Sequence, residues 1–431
     1  MPSPFTPPRA VRALALALAA LLLALPAITL PVLTLPSIAH AQPAADISAP
    51  VLSGQVPPTR TWPELKAETQ RRADAQLYPE VGLDPSDVAA ALATITSLDR
   101  DEWAAAFSRQ AAIWEDAARR AGTGAAGAAT AARNWQRAWR LYDFAAWPTP
   151  NSPGKAAAGP RARAAYLAYA ASLSPRLEVV RIPIDGATLV GYLRLPADTS
   201  SARPAPLVLL ASGLDSHKED AAESAAAYLP HGIGFFAIDM PGTGQNPLPA
   251  APGSERAFSA VLDWLRTRPE IDAGRVVVQG TSWSGYWSAL VGITERARLR
   301  GAVVQGGPVH FYFTPDWQRR ALASKEYLFD LFAARAALYR VTTLDDFLAY
   351  GPKLSLLASD MINQPSAPML VLNGVHDTQV PIEDLDLLMR HGSATWGWIN
   401  PGGFHTGRGG GWDETRIFNE VVLPWVQQMI R

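Results

Sequence analysis

The chain contains no cysteine in 431 residues, which excludes disulfides and a lipoprotein's lipidated cysteine. Net charge is nearly absent, with 38 Lys and Arg against 39 Asp and Glu. With no basic patch, nucleic-acid binding has no support. The 7 histidines are scattered and lack the paired i, i+4 spacing that sets two imidazoles on one helix face, so no metal and no cofactor is expected. No repeat period appears, which removes solenoids and propeller-bearing peptidases. Long apolar runs are also scarce. The run from Ala13 to Leu25 stops at Pro26, and Pro31 and Pro36 interrupt the apolar residues beyond it. That leaves about 13 uninterrupted residues, against the ~20 that span a bilayer.

That run has a different meaning in its context. Arg9 and Arg12 precede it, and Ala39-His40-Ala41 stands before Gln42. A positive segment, an apolar core and an A-x-A site predict a secretory signal peptide over residues 1–41, cut after Ala41. The expected destination is a periplasm or the medium, with no stable membrane anchor. Residues 42–60 are rich in Pro, Ala and Ser and are expected to be a disordered leader. Residues 61–175 read as Ala-rich helices, with apolar positions three and four apart in Asp101 to Trp114, Asn134 to Phe144 and Ala164 to Leu173. The Ala/Gly stretch Ala121 to Ala132 is expected to be a helix end plus a loop. Residues 176–431 alternate short apolar strands with helical stretches, which predicts a mostly parallel sheet covered on both faces. The helical segment is expected to form a cap domain over the mouth of this second one.

The chemistry concentrates at the carboxyl ends of the expected strands. Arg275 to Val278 is a β-branched strand that breaks into Gly280-Thr281-Ser282-Trp283-Ser284-Gly285, and a helix-compatible stretch comes next. A strand, a tight turn with serine at its apex and a helix make a nucleophile elbow, as in the α/β-hydrolase fold. The usual G-x-S-x-G has Ser284 in its last place. Downstream, Pro368 to Asn373 reads as a buried strand with Asp377 just beyond it. The strand Ala394 to Ile399 then leads into Asn400-Pro401-Gly402-Gly403-Phe404-His405. The order Ser282, Asp377, His405 is that of a hydrolase triad: His405 would take the serine proton and Asp377 would orient the imidazole. His391, at the end of the helical stretch Ile382 to Arg390, is the lesser candidate. Upstream, the apolar strand Pro206 to Ala211 runs into Ser212-Gly213-Leu214-Asp215-Ser216-His217-Lys218-Glu219. The backbone N–H groups of Leu214 and Trp283 are the expected oxyanion-hole donors. Gly213 is expected to let the backbone turn without a Cβ in the way.

The chain resembles the α/β-hydrolases grouped with the fermentation-respiration switch protein (FrsA-like esterases) and with dihydroxypseudooxynicotine hydrolase. The resemblance rests on Gly213 to Glu219, Asp239-Met240-Pro241-Gly242-Thr243-Gly244, the elbow, and Gly374 to Asp377 with Val380-Pro381. It implies an α/β-hydrolase fold with an N-terminal helical cap, and a serine hydrolase without cofactor. It also implies a second chemistry, hydrolysis of a carbon–carbon bond next to a ketone. In that chemistry a carboxylate lies beside the reaction centre where this chain has Asp215, one methylene shorter than the expected Glu. Asp215 is therefore an auxiliary candidate, with a helix cap near Lys218 as its alternative. Phe311, Tyr312, Phe313 and Trp317, together with Trp283, lie after the elbow or the sixth strand. They read equally as lining for an apolar or aromatic acyl group and as packing. Three functions remain open: an esterase acting on a small molecule, a carbon–carbon hydrolase, and a non-catalytic binding protein on the same fold. The intact Ser282, Asp377 and His405 argue against the last. A homodimer is left open.

Overall fold

A computed structural model describes residues 56–392 and 395–431. The expected signal peptide, 1–41, and residues 42–55 of the expected leader lie outside them. The strands begin with a hairpin. β1 (Glu178–Ile184) and β2 (Ala187–Arg194) pair antiparallel across Asp185-Gly186, both at positive φ, the conformation that an Asp-Gly turn favours. The chain continues through β3 (Ala205–Ala211), β4 (Gly234–Ile238), β5 (Ile271–Thr281), β6 (Gly301–Gln305), β7 (Met369–Gly374) and β8 (Thr395–Asn400). The sheet order is β1-β2-β4-β3-β5-β6-β7-β8. β2 runs antiparallel to β4, and every pairing from β4 to β8 is parallel. This is the α/β-hydrolase fold. The carboxyl ends of the parallel strands share one edge, so the loops that carry Asp215, Ser282, Asp377 and His405 share it too.

Every residue of β3, β4, β6 and β7 is buried, as two covered faces require. Successive side chains divide between the faces. Leu207 and Leu209 join a core with α7 (Arg256–Leu265) and α8 (Ser284–Thr294), whereas Val208 and Leu210 face the opposite core with α6 (Lys218–Ala225) and the C-terminal α14 (Leu423–Met429).

The N-terminal helices are α1 (Trp62–Ala75), α2 (Pro85–Leu92), α3 (Arg100–Arg119), α4 (Gly124–Ala146) and α5 (Pro153–Ala170). The loop expected within Ala121 to Ala132 shrinks, because α4 already begins at Gly124. Alanine is the best helix former, so a run with nothing to pack can still be helix. Gly127 explains part of the glycine content, since a Cβ there would lie 1.6 Å from the Gly122 carbonyl oxygen. Residues 56–60 also have a defined place: the Arg60 guanidinium donates to the carbonyls of Tyr327 at 2.7 Å and Leu328 at 2.8 Å, and to that of Lys325. Among the described residues no helix is long and apolar enough to cross a membrane.

The helices and the sheet share one core. Tyr166 of α5, fully buried, stacks on Tyr192 of β2 with ring centroids 5.5 Å apart. Beside this contact, α4 reaches the loop after β3 through charge. Arg140 meets Asp220 at 2.7 Å, and His217 Nδ1 meets Asp143 at 3.1 Å. Burial alone would lower the His217 pKa, but the hydrogen bond and charge of Asp143 outweigh it and raise the pKa to about 10. The pair therefore stabilises the fold fully below the unfolded value near 6.5 and is lost as pH rises through 10. Urea unfolding should show stability falling across that window, and Asp143→Asn should flatten the slope. An unchanged slope in that variant would show the pair to be inert.

Candidate active site

The elbow is built by close approach. Ser282 sits at φ 60°, a left-handed conformation that costs a non-glycine residue roughly 1–2 kcal/mol. Its N–H donates to the Gln305 carbonyl at 2.7 Å, and its carbonyl accepts from Gly285 N at 2.8 Å. A Cβ on Gly280 would lie 2.1 Å from the Ser284 carbonyl oxygen, and one on Gly285 would lie 2.5 Å from Gly307 Cα. Both glycines are therefore required. Ser284 is fully buried, and its hydroxyl accepts from Thr281 N at 2.8 Å and faces the carbonyls of Ala211 and Thr281 at 2.9 Å. Serine in this place stitches β5 to β3, and its hydroxyl is buried away from any external carbonyl.

The structure brings Ser282, His405 and Asp377 into one hydrogen-bonded chain. His405 Nε2 lies 2.7 Å from Ser282 Oγ, and Nδ1 lies 2.7 Å from Asp377 Oδ2. Asp377 is in turn fixed: Gln379 N and Val380 N donate to Oδ1 at 2.7 and 3.0 Å, and Asn373 Nδ2 donates to Oδ2 at 2.9 Å. Burial of His405 works against its charged form, yet the charge and hydrogen bond of Asp377 prevail and raise the imidazole above its ordinary value. His391 stands apart, half-buried and bonded to Asn363 at 2.6 Å.

Two supporting residues are not evident from the sequence. Asn400 Nδ2 donates to the carbonyls of Gly407 and Gly409, both at 2.8 Å, and so holds the His405 loop. Gln305, buried at the end of β6, accepts from Ser282 N through its backbone and donates Nε2 to the Thr406 carbonyl at 3.1 Å. It therefore couples the serine turn to the histidine loop. A glutamine ending the apolar run Gly301-Ala302-Val303-Val304 is the one signal that could have marked it.

The loop after β3 lies against the elbow. Among the described residues neither the Leu214 nor the Trp283 amide is taken by a hydrogen-bond acceptor. Gly213 is less special than expected: its φ is not left-handed, and a Cβ would meet Ser282 Cβ at 3.7 Å, an ordinary contact. Asp215 does not cap α6. The start of that helix is served by Asp220, which accepts from His217 N at 3.1 Å, and by Asp239, which accepts from Lys218 N at 2.8 Å. Asp215 instead points to aromatics: Tyr327 donates its hydroxyl to Oδ2 at 2.6 Å, and the Tyr78 hydroxyl lies on the same carboxylate. Burial raises the Asp215 pKa, and the two hydroxyls only partly offset it.

The aromatics after the elbow differ in burial. Trp283 and Tyr312 are buried, and with Tyr286, Phe313 and Tyr339 they form an edge-to-face cluster under α8. Trp283 opens a helix buried on all sides, so its indole packs inward while its backbone faces the elbow. Trp317 is half-buried and donates Nε1 to the Gln379 carbonyl at 3.3 Å. Phe311 is exposed, its ring against His310. A cavity among the described residues lies elsewhere, between residues 56–65, 97–103 and 322–333.

A family model described as "Esterase FrsA-like" matches residues 87–395. The Esterase FrsA of Vibrio vulnificus is 28% identical over 197 residues, 45% of this chain and 46% of that protein. The 2,6-dihydropseudooxynicotine hydrolase of Paenarthrobacter nicotinovorans is 27% identical over 226 residues, 52% of this chain and 57% of its own length. The chain thus spans about half the length of the curated relatives it matches. Among solved structures, 2,6-dihydroxy-pseudo-oxynicotine hydrolase superposes with a TM-score of 0.67 at 22% identity, covering 81% of this chain and 93% of the other. AbyA5 gives 0.66 at 21%, covering 84% and 94%. These structures share the fold, and the family match extends over most of the chain. The chain belongs to the FrsA-like esterase family.

Proposed function

We propose that the protein is an exported serine hydrolase that cleaves small-molecule esters of a mainly apolar or aromatic acyl group through an acyl-enzyme. The observation that carries this reading is the unbroken chain from Ser282 through His405 to Asp377, with both links at 2.7 Å. Ser282 Oγ attacks the ester carbonyl as His405 Nε2 takes its proton, and Asp377 stabilises the imidazolium. The Leu214 and Trp283 amides receive the oxyanion. His405 then returns the proton to the departing alcohol, and water repeats the sequence on the acyl-enzyme. Export rests on the charge and apolar pattern of the first 41 residues.

Ser282→Ala should lower ester turnover roughly 10³-fold or more without unfolding the protein, and a fluorophosphonate should label Ser282 and not Ser284. His405 must be neutral to act as base. Its raised pKa therefore predicts that kcat/KM falls as pH drops through a midpoint above 6.5. Asp377→Asn removes the charge that raises His405, so the midpoint should move down while the rate drops about 10⁴-fold. Labelling that persists in Ser282→Ala, or full activity in His405→Ala, refutes the assignment.

A second reading, hydrolysis of a carbon–carbon bond beside a ketone, is favoured by one observation: the Asp215 carboxyl held by Tyr327 and Tyr78 next to the Leu214 amide. Such cleavage expels a carbanion-like group, and a carboxyl whose pKa is raised can help protonate it. A bare carboxylate there would repel the oxyanion. On this reading Asp215→Asn abolishes turnover of a β-diketone or acylphenol and spares aryl esters. Wild-type protein that cleaves aryl esters but no ketone decides for the esterase.

A further inference from the structure

The cavity apart from the elbow has a volume of about 240 Å³. Ser282, Asp377 and His405 are not among its walls, yet two of its wall residues touch the loops that carry the site. Tyr327 donates its hydroxyl to Asp215 at 2.6 Å, and Ser324 Oγ lies 3.1 Å from Thr378 Oγ1, next to Asp377. The cavity is thus one side-chain layer from the reacting centre.

Its chemistry is selective. Trp62, Trp103, Leu322, Phe329 and Tyr327 supply apolar and aromatic wall, and Leu98, 40% exposed, stands at the rim. The charges that border it are already spent. Arg60 donates to three backbone carbonyls, and Arg100 pairs with Asp330 at 2.6 Å. Asp99, the other charged wall residue, accepts from the amides of residues 101 and 102, so these groups spend their hydrogen bonds within the chain, and shape and apolar surface do most of the selecting. An apolar cavity of ~150 Å³ already accepts benzene, and the volume here has room for a second fused ring.

We propose that this cavity is a binding site for a small, mainly apolar, ring-bearing group, and that Tyr327 transmits its occupancy to Asp215. A group seated against Tyr327 presses on the ring that holds the carboxyl beside the Leu214 amide. The group can belong to the substrate itself or to a separate small molecule, and the kinetics tell these apart. The binding arm does not depend on the proposed hydrolysis; only the kinetic arm rests on it.

The probe is 2-naphthol. Calorimetry on the full Ser282→Ala chain should show saturable binding, at least tenfold weaker in Ser282→Ala carrying Leu98→Trp, a substitution at an exposed position that the fold tolerates. Leu322→Phe, filling the opposite wall, should do the same. With active protein, competition against 2-naphthyl acetate without effect on ethyl acetate places the substrate's own ring in the cavity. An equal effect on both esters assigns it to a separate molecule, and Tyr327→Phe should then abolish that effect while keeping the binding. Absence of saturable binding, binding unchanged in both filled variants, or binding that alters neither ester overturns the proposal. Loss of ester turnover in wild type with binding retained refutes the hydrolase reading and not the site.

Discussion

A serine at φ 60° between a strand and a helix exists here only because glycine stands on both sides of it. At Gly280 and Gly285 the two elements approach until any side chain would overlap backbone. The strain at Ser282 is held by the hydrogen bond from its N–H to the Gln305 carbonyl and by the buried Ser284 hydroxyl, which ties the end of β5 to the end of β3. The rest of the site depends on that crossing. It sets where Oγ emerges, and it places the Trp283 amide at the start of α8. The Leu214 loop must then lie close: a Cβ added at Gly213 would stand 3.7 Å from Ser282 Cβ.

Around this point the chain repeats one electrostatic device, a buried carboxylate that accepts successive backbone amides and so locks a loop. Asp377 takes the amides of residues 379 and 380, and Asp239 takes those of Lys218 and Gln245. Asp384 takes four, from residues 309 to 312, at 2.7 to 3.2 Å. Burial pushes the Asp384 carboxyl up to about 6 although all four amides work against that shift. Loops at the carboxyl edge of a parallel sheet have no ladder to join, and their donors must be satisfied in another way. Each carboxylate does so for one loop, and the edge becomes rigid enough to hold a hydrogen-bonded chain across three of them.

Much of this is legible in the sequence, for physical reasons. A fully buried parallel strand must be continuously apolar, so β3, β7 and the Val276 to Val278 run of β5 declare themselves, and the segment after each is a loop at the shared edge. Ser282, Asp377 and His405 stand just past such runs, and the structure brings them into contact over 123 residues of chain. Asp185-Gly186 announces its hairpin in the same way. The start of α4 is hidden because alanine without partners resembles linker, although its backbone preference is the strongest of all. Gln305 and Asn400 are hidden because their work lies in backbone contacts that no spacing encodes. Asp215 suggests a cap for Lys218, three residues on, whereas its partners Tyr327 and Tyr78 lie 112 residues ahead and far upstream.

The aromatic residues show where local reading stops. Trp283 follows Ser282, and Tyr312 and Phe313 follow the sixth strand, places that suggest a pocket. The helix after the elbow, however, packs on one face of the sheet and is covered on all sides, and Trp283, Tyr312 and Phe313 are consumed as the core around it. Walls that face open space come from elements outside the sheet and its covering helices. Here these are the N-terminal segments 56–65 and 97–103 and the stretch 322–333, which meet at Tyr327 and enclose the cavity there. These walls are not separate from the elbow: Leu322, Leu331 and Phe332 lie in the same hydrophobic core as Leu214 and Trp283, so a change in the cavity is felt where the oxyanion donors are held.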